Sequence, residues 1–198
     1  ETLGSEELVQ GSSPIIAAAT NGRASVCRTL LRLGAAANQV NSKGGGTVLM
    51  AACKNGDLDV VKLLINHRAA VGAKETSGEF EGMTALHWAS FDGHAEVVRF
   101  VLTQDGCEER ATACFTKDGQ KRTHVTALML AMQFGHEQAA RALLHSRGGS
   151  RGKDLRDSHG WTSLMLACKN NHEGCVRALL QADANLHCCS RRGSEDSG

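Results

Sequence analysis

Residues 84–94 read Thr84-Ala85-Leu86-His87-Trp88-Ala89-Ser90-Phe91-Asp92-Gly93-His94. A hydroxyl residue opens the stretch, where its oxygen can accept an orphan amide of a first helical turn. Eight residues without Gly or Pro follow, enough for about two turns. Leu86 and Ala89 then share one helix face. Gly93 closes the stretch in the place where a left-handed residue ends a helix. With Thr84 as position zero, four other stretches fall into the same phase. They are Ser13-Pro14-Ile15-Ile16-Ala17-Ala18-Ala19, Thr47-Val48-Leu49-Met50-Ala51-Ala52-Cys53, Thr126-Ala127-Leu128-Met129-Leu130-Ala131-Met132 and Thr162-Ser163-Leu164-Met165-Leu166-Ala167-Cys168.

Self-similarity at a fixed offset is the mark of a repeat architecture. Position +2 is Ile15, Leu49, Leu86, Leu128 and Leu164, and position +5 is always Ala: Ala18, Ala52, Ala89, Ala131, Ala167. Ala at +5 lets the next layer approach closely. Position +9 is Gly22, Gly56, Gly93, Gly135 and then Asn171. A second helix is expected from about +11 to +19, with an apolar stripe at +13 (Val26, Val60, Val97, Ala139, Cys175) and +17 (Leu30, Leu64, Val101, Leu143, Leu179). The starts are spaced 34, 37, 42 and 36 residues apart, yet the offsets inside each copy never slip. All length variation therefore lies after the second helix, in a connecting finger, where extra residues cost little. The prediction is an all-α solenoid of five helix pairs over 13–189, preceded by an extension or capping segment over 1–12 and followed by a disordered polar tail over 190–198.

The pattern resembles the ankyrin repeat, whose signature runs T-P-L-H-x-A-A-x-x-G-H, then V-V-K-L-L-L, then G-A-D-V-N. Thr84, Leu86, His87, Ala89, Gly93 and His94 carry it in the third copy, and Val60-Val61-Lys62-Leu63-Leu64-Ile65 in the second. Gly34-Ala35-Ala36-Ala37-Asn38 supplies a closing element, which is lost after the third and fourth copies. The resemblance covers about residues 12–188. It implies a protein-binding module whose fingers and first helices line a concave face, with positions −1, +7 and +8 turned toward the partner.

Read at those positions, the expected partner-binding residues are Lys54, Met83, Phe91, Asp92, Val125, Gln133, Phe134, Trp161, Lys169 and Asn170. Aromatics are only 4% of the chain, so their gathering at one kind of position is informative. Aromatic anchors with a charged rim are the usual makeup of an interface hot spot. Phe91 or Phe134 can instead tuck under an enlarged finger, and Trp88 at +4 reads as core. The long finger from Asp105 to Lys121 reads as a solvated flexible loop, with a partner contact or lid as the alternative. Arg147-Gly148-Gly149-Ser150-Arg151-Gly152-Lys153 is basic and Gly-rich but lacks the ordered Gly-Lys-Ser/Thr of a phosphate loop, and reads as a plain loop.

Composition narrows the function further. A net charge of +1 gives no overall field for nucleic acid or an anionic membrane. Apolar runs fall short of the ~18 residues that a spanning helix needs. The acidic start, Glu1 to Gln10, has no look of a secretory leader, although a chain that opens without Met can be a fragment. Cys27, Cys53, Cys168 and Cys175 sit at apolar repeat positions and read as buried free thiols, which suits the cytoplasm or nucleus. His94, His136 and His172 all fall at +10 on separate layers and do not converge on a metal. Cys107 with Cys114 makes a poor zinc pair, and His187-Cys188-Cys189 reads as a frayed end rather than a metal or acylation site. The expectation is a non-catalytic, monomeric module without cofactor or metal that binds a protein or peptide. The alternatives are the regulatory ankyrin domain of a larger enzyme or channel, and behind it a thiol-dependent enzyme or a nucleic-acid binder.

Overall fold

The computed structural model describes residues 13–42, 44–117, 119–148 and 152–187. The expected extension over 1–12, the tail over 190–198, Cys188, Cys189 and residues 149–151 of the basic loop lie outside them. Five helix pairs follow one another. The first helices are Pro14–Thr20, Val48–Asn55, Ala85–Phe91, Ala127–Gln133 and Ser163–Lys169. The second helices are Ala24–Arg32, Leu58–Asn66, Ala95–Leu102, Glu137–Leu144 and Glu173–Gln181. First helices pack on first helices and second on second, so each layer touches mainly its neighbours.

The repeat phase accounts for the packing. All five Ala at +5 are buried, four of them at 0% exposure. The hydroxyls of Thr47, Thr126 and Thr162 accept the amides of Met50, Met129 and Met165 at 3.2–3.3 Å. Thr84 departs from this: its amide donates to His87 Nδ1 at 3.3 Å, and its hydroxyl lies 2.9 Å from the same nitrogen. Every +9 residue, Asn171 included, has positive φ, from 58° to 86°. A second reason for Gly there is the next layer's imidazole. His94, His136 and His172 lie against Gly56, Gly93 and Gly135, where a Cβ would collide with the ring. Each imidazole reaches the carbonyl at +7 of the preceding repeat: Lys54 at 2.9 Å, Phe91 at 2.8 Å and Gln133 at 3.1 Å. The +10 histidines are thus stitches between layers.

The second helices divide their apolar residues between two neighbours. Positions +13 and +17 face the preceding layer, and +14 and +18 face the following one. Val60, Val97, Ala139 and Cys175 at +13 are therefore buried, whereas Val26 in the first repeat is 46% exposed and Leu30 is half-exposed. At the other end Leu180 at +18 is 39% exposed. Position +6 follows the same rule. Ala19, Cys53, Ser90 and Met132 are covered by the next first helix, and Cys168 in the fifth repeat is exposed rather than buried as its sequence position suggests.

The third finger also differs from its sequence reading. Instead of a loose loop it holds an antiparallel hairpin of β1 (Ala113–Lys117) and β2 (Gln120–Val125). The pairs Ala113↔Val125 and Phe115↔Arg122 differ by one residue in step, so β2 carries a bulge, and His124 sits in it at φ 59°. Before the strands, Glu108 pairs with Lys74 at 2.7 Å, and Glu109 accepts from Ser146 Oγ and the Gly148 amide. Backbone bonds then join finger to finger: Thr76 to Gly44, Cys114 to Glu81 and Ser158 to Thr123. The hairpin is ordered because it is one link of this belt.

Candidate functional site

Six of the chain's seven aromatics stand on or beside the first helices and the fingers, and Phe100 stands on a second helix. Phe80 lies 5.0 Å from Trp88, Trp88 5.9 Å from Phe91, and Phe91 4.6 Å from Phe134, centroid to centroid. Phe115 of β1 stands behind them, 5.7 Å from Phe91 and 6.0 Å from Phe134. Trp88 and Phe115 are buried, as the sequence suggests for Trp88. Phe80, Phe91 and Phe134 are half-exposed. Each of the two rings expected at the surface therefore does both things: one side packs on the hairpin and the other remains open.

The remaining candidate residues separate into three groups. Met83 and Val125 are 0% exposed, which takes their side chains out of any contact surface. The cause is the enlarged fingers. Met83 accepts from the Glu75 amide at 2.8 Å within its finger, and Val125 closes β2 opposite Ala113, so both side chains turn inward. Gln133 is also buried, at 7%. Its side-chain oxygen accepts from Arg122 Nη1 at 2.5 Å, which makes it a brace for the hairpin. Trp161, Asp92, Asn170 and Lys54 are half-exposed and Lys169 is exposed. Asn170 caps its own helix by donating to Leu166 O at 2.8 Å.

The two lysines have matching settings. Lys54 Nζ lies 4.7 Å from the Trp88 ring centre and Lys169 Nζ 5.0 Å from that of Trp161. Such contacts hold a cation at an aromatic face without neutralising it. Between them stand two carboxylates. Glu75, in the second finger, is 9% exposed and accepts from Trp88 Nε1 at 3.3 Å. Burial pushes its pKa up to about 7, against the opposing pull of the Trp88 hydrogen bond and Lys54. Asp92 has an enclosed Oδ2 without a hydrogen-bond partner, and burial raises its pKa too. Met50, Lys54, Glu75 and Trp88 line a shallow hollow at this end of the strip.

One buried ion pair fixes the other end. Arg122 Nε donates to Asp157 Oδ2 at 2.6 Å, with side-chain exposures of 11% and 0%. Asp157 Oδ1 accepts from the amides of His159 and Trp161 at 2.9 and 2.8 Å. This carboxylate ties the third finger to the fourth and sets the backbone that presents Trp161. Sequence reasoning missed Phe80, Glu75 and Asp157. Phe80 was reachable, since it stands at −4 of the third repeat on the finger. Glu75 and Asp157 carry no signal of their own.

Four of the thiols are placed for packing. Cys27, Cys53 and Cys175 are buried, and desolvation raises the pKa of each, that of Cys175 to about 11. Cys107 is likewise pushed up to about 11 by burial and by Glu109 and Glu108. Such thiols stay protonated and unreactive near neutral pH. Among the described residues no group of three His, Cys, Asp or Glu side chains is disposed to hold a metal, and no helix is long and apolar enough to cross a membrane.

Helix pairs in identical phase, joined by hydrogen-bonded fingers, define a repeat protein of the stacked-layer class. The particular family is shown by comparison: a family model of ankyrin repeats in three copies matches residues 14–113 and 111–190, and the chain belongs to the ankyrin repeat family. Similar proteins include the E3 ubiquitin-protein ligase XBAT33 of Arabidopsis thaliana, 39% identical over 94 residues, which are 46% of this chain and 17% of that protein. The human ankyrin repeat domain-containing protein 63 is 32% identical over 121 residues, 61% of this chain and 29% of that protein. Its mouse counterpart is 31% identical over 138 residues, 68% of this chain and 33% of that protein. The chain thus spans a third or less of the length of these relatives. Ankyrin repeats are protein-interaction modules and are generally not catalytic.

Proposed function

We propose that this chain binds a partner protein on its concave face, over repeats three to five, through Phe91, Asp92, Phe134, Trp161, Lys169 and Asn170, with Lys54 and Phe80 at the edge. The observation that carries this reading is the row of half-exposed rings held open by Phe115 and the Arg122–Asp157 pair. Rigid aromatic surface on a braced scaffold binds with little ordering cost. The module acts without catalysis or cofactor, as a monomer. Its buried free thiols fit a reducing compartment, cytoplasm or nucleus.

The test is site-specific photocrosslinking in the source cells. A benzophenone residue at Asn170 is expected to capture a partner band, and one at Arg99 on a second helix is not. Capture from Arg99 alone refutes the concave-face reading. A second reading is favoured by relatives named as E3 ubiquitin-protein ligases. In it the same strip presents a substrate to a ligase elsewhere in a longer protein. Ubiquitination of the crosslinked partner, dependent on Phe134, would decide for it.

A further inference from the structure

The chemistry of the partner can be narrowed from the two lysines, on the assumption that the concave-face reading holds. Lys54 and Lys169 occupy the same repeat position, +7, in the second and fifth copies. Each ammonium rests on an indole and forms no salt bridge among the described residues, although Lys54 is electrostatically coupled to Glu75 and Asp92. By contrast Lys74, Arg99, Lys121, Arg122, Arg141 and Arg177 are all paired. Lys54 and Lys169 bracket the strip of Phe91 and Phe134.

We infer that the occupant is an extended peptide segment with an apolar centre and a carboxylate toward each end, one seated at Lys54 and the other at Lys169. Three layers separate the two lysines, which at ~8–10 Å between packed helices is about 24–30 Å. An extended chain rises ~3.3 Å per residue, so its two acids stand about seven to nine residues apart. Residues between them lay apolar side chains on Phe91 and Phe134. Asp92 and Glu75 stand within the same face and would repel an acidic guest. Burial works against the charge of both, and Glu75 is turned onto Trp88 Nε1. Lys169 is exposed and Lys54 half-exposed, so both ammonium groups reach solvent at the ends of the strip.

The experiment selects random twelve-residue peptides, displayed on phage, against the intact chain and measures the recovered peptides by fluorescence anisotropy. Recovered sequences are expected to carry two Asp or Glu about eight residues apart with apolar residues between. Lys54→Glu and Lys169→Glu should each weaken binding by about tenfold, because attraction is replaced by like-charge repulsion. The double variant should prefer the same peptide with its acids exchanged for lysines. Circular dichroism melts confirm folding, and Lys54→Met with Lys169→Met replaces the reversals if those unfold the chain. Recovered peptides without acidic bias, or affinities indifferent to both lysines, overturn the inference. If such peptides still crosslink at Asn170, the concave-face reading survives it. If they crosslink only from second helices, both fail.

Discussion

Replacing Asp157 by Asn removes one charge and keeps the shape. Oδ1 can still accept the His159 and Trp161 amides, now at 2.9 and 2.8 Å. What is lost is the partner of a guanidinium whose side chain is only 11% exposed. Leaving one member of a buried pair uncompensated costs about 3–5 kcal/mol. The lower figure applies here, because Gln133 still accepts from Arg122. For a chain of this size about 3 kcal/mol corresponds to a fall of roughly 6–12 °C in Tm. Arg122→Met should cost a similar amount from the other side. The double variant should cost little more than either single one, because the penalty is the orphaned charge rather than the missing attraction. Urea melts followed by circular dichroism give the four free energies, and amide exchange at Ser158, which donates to Thr123 O, reports whether the finger belt opens. If Asp157→Asn stays within about 0.5 kcal/mol of the parent, or the two single effects simply add, the pair does not carry the hairpin and the account of how Trp161 is presented fails.

Four further outcomes follow from named contacts. Ala89→Leu overpacks a residue with 0% exposure between two layers and should cost on the order of 1–3 kcal/mol by urea melt; an unchanged midpoint would contradict the stacking. Buried His87, whose pKa is lowered to about 4, is neutral when folded but binds a proton below 6.5 when unfolded, so stability should fall as pH drops from 6.5 toward 4. Glu75 has the opposite sign: with its folded pKa at about 7, the folded state holds the extra proton, and stability is lost as pH rises from 4.5 through 7. Glu75→Gln should flatten that slope and raise the melting temperature at pH 8. Phe91→Ala with Phe134→Ala should lower stability as well as abolish partner capture, by about 1–2 kcal/mol per half-buried ring; a melt identical to the parent would mean the hairpin does not rest on them.

The layers were legible in the sequence because each depends on local chemistry repeated five times. Leu at +2, Ala at +5 and a left-handed residue at +9 serve the same purpose in every copy, and even Asn171 complies, at φ 58°. The departures have one physical source, contacts that the repeat does not encode. Val26 and Cys168 hold regular positions but lie on faces that only a neighbouring layer can cover. Met83 and Val125 hold the position that faces outward in a plain repeat, yet their longer fingers turn them into the core. The hairpin was the hardest feature to read. Its strands contain Lys117, Lys121, Arg122 and His124 and look polar, and their order comes from the finger belt and from contacts distant in sequence such as Asp157, 35 residues beyond Arg122.

That same long-range pairing explains why the candidate surface was only partly visible. Phe91 and Phe134 could be found from their offsets, because +7 and +8 place them beside each other at the layer junction, 4.6 Å apart. Their half-exposure could not, since it depends on Phe115 arriving from a finger insertion that has no counterpart in the other copies. The helix pairs give the strip its spacing, and the insertion gives it rigidity. Shortening the finger by deleting 113–124 and rejoining it should therefore leave the helices stacked while Phe91 and Phe134 lose their backing. Helical circular dichroism near the parental level, together with quickened exchange of the Phe134 amide, would separate those two contributions. Collapse of the whole array would show that the insertion is part of the stack itself.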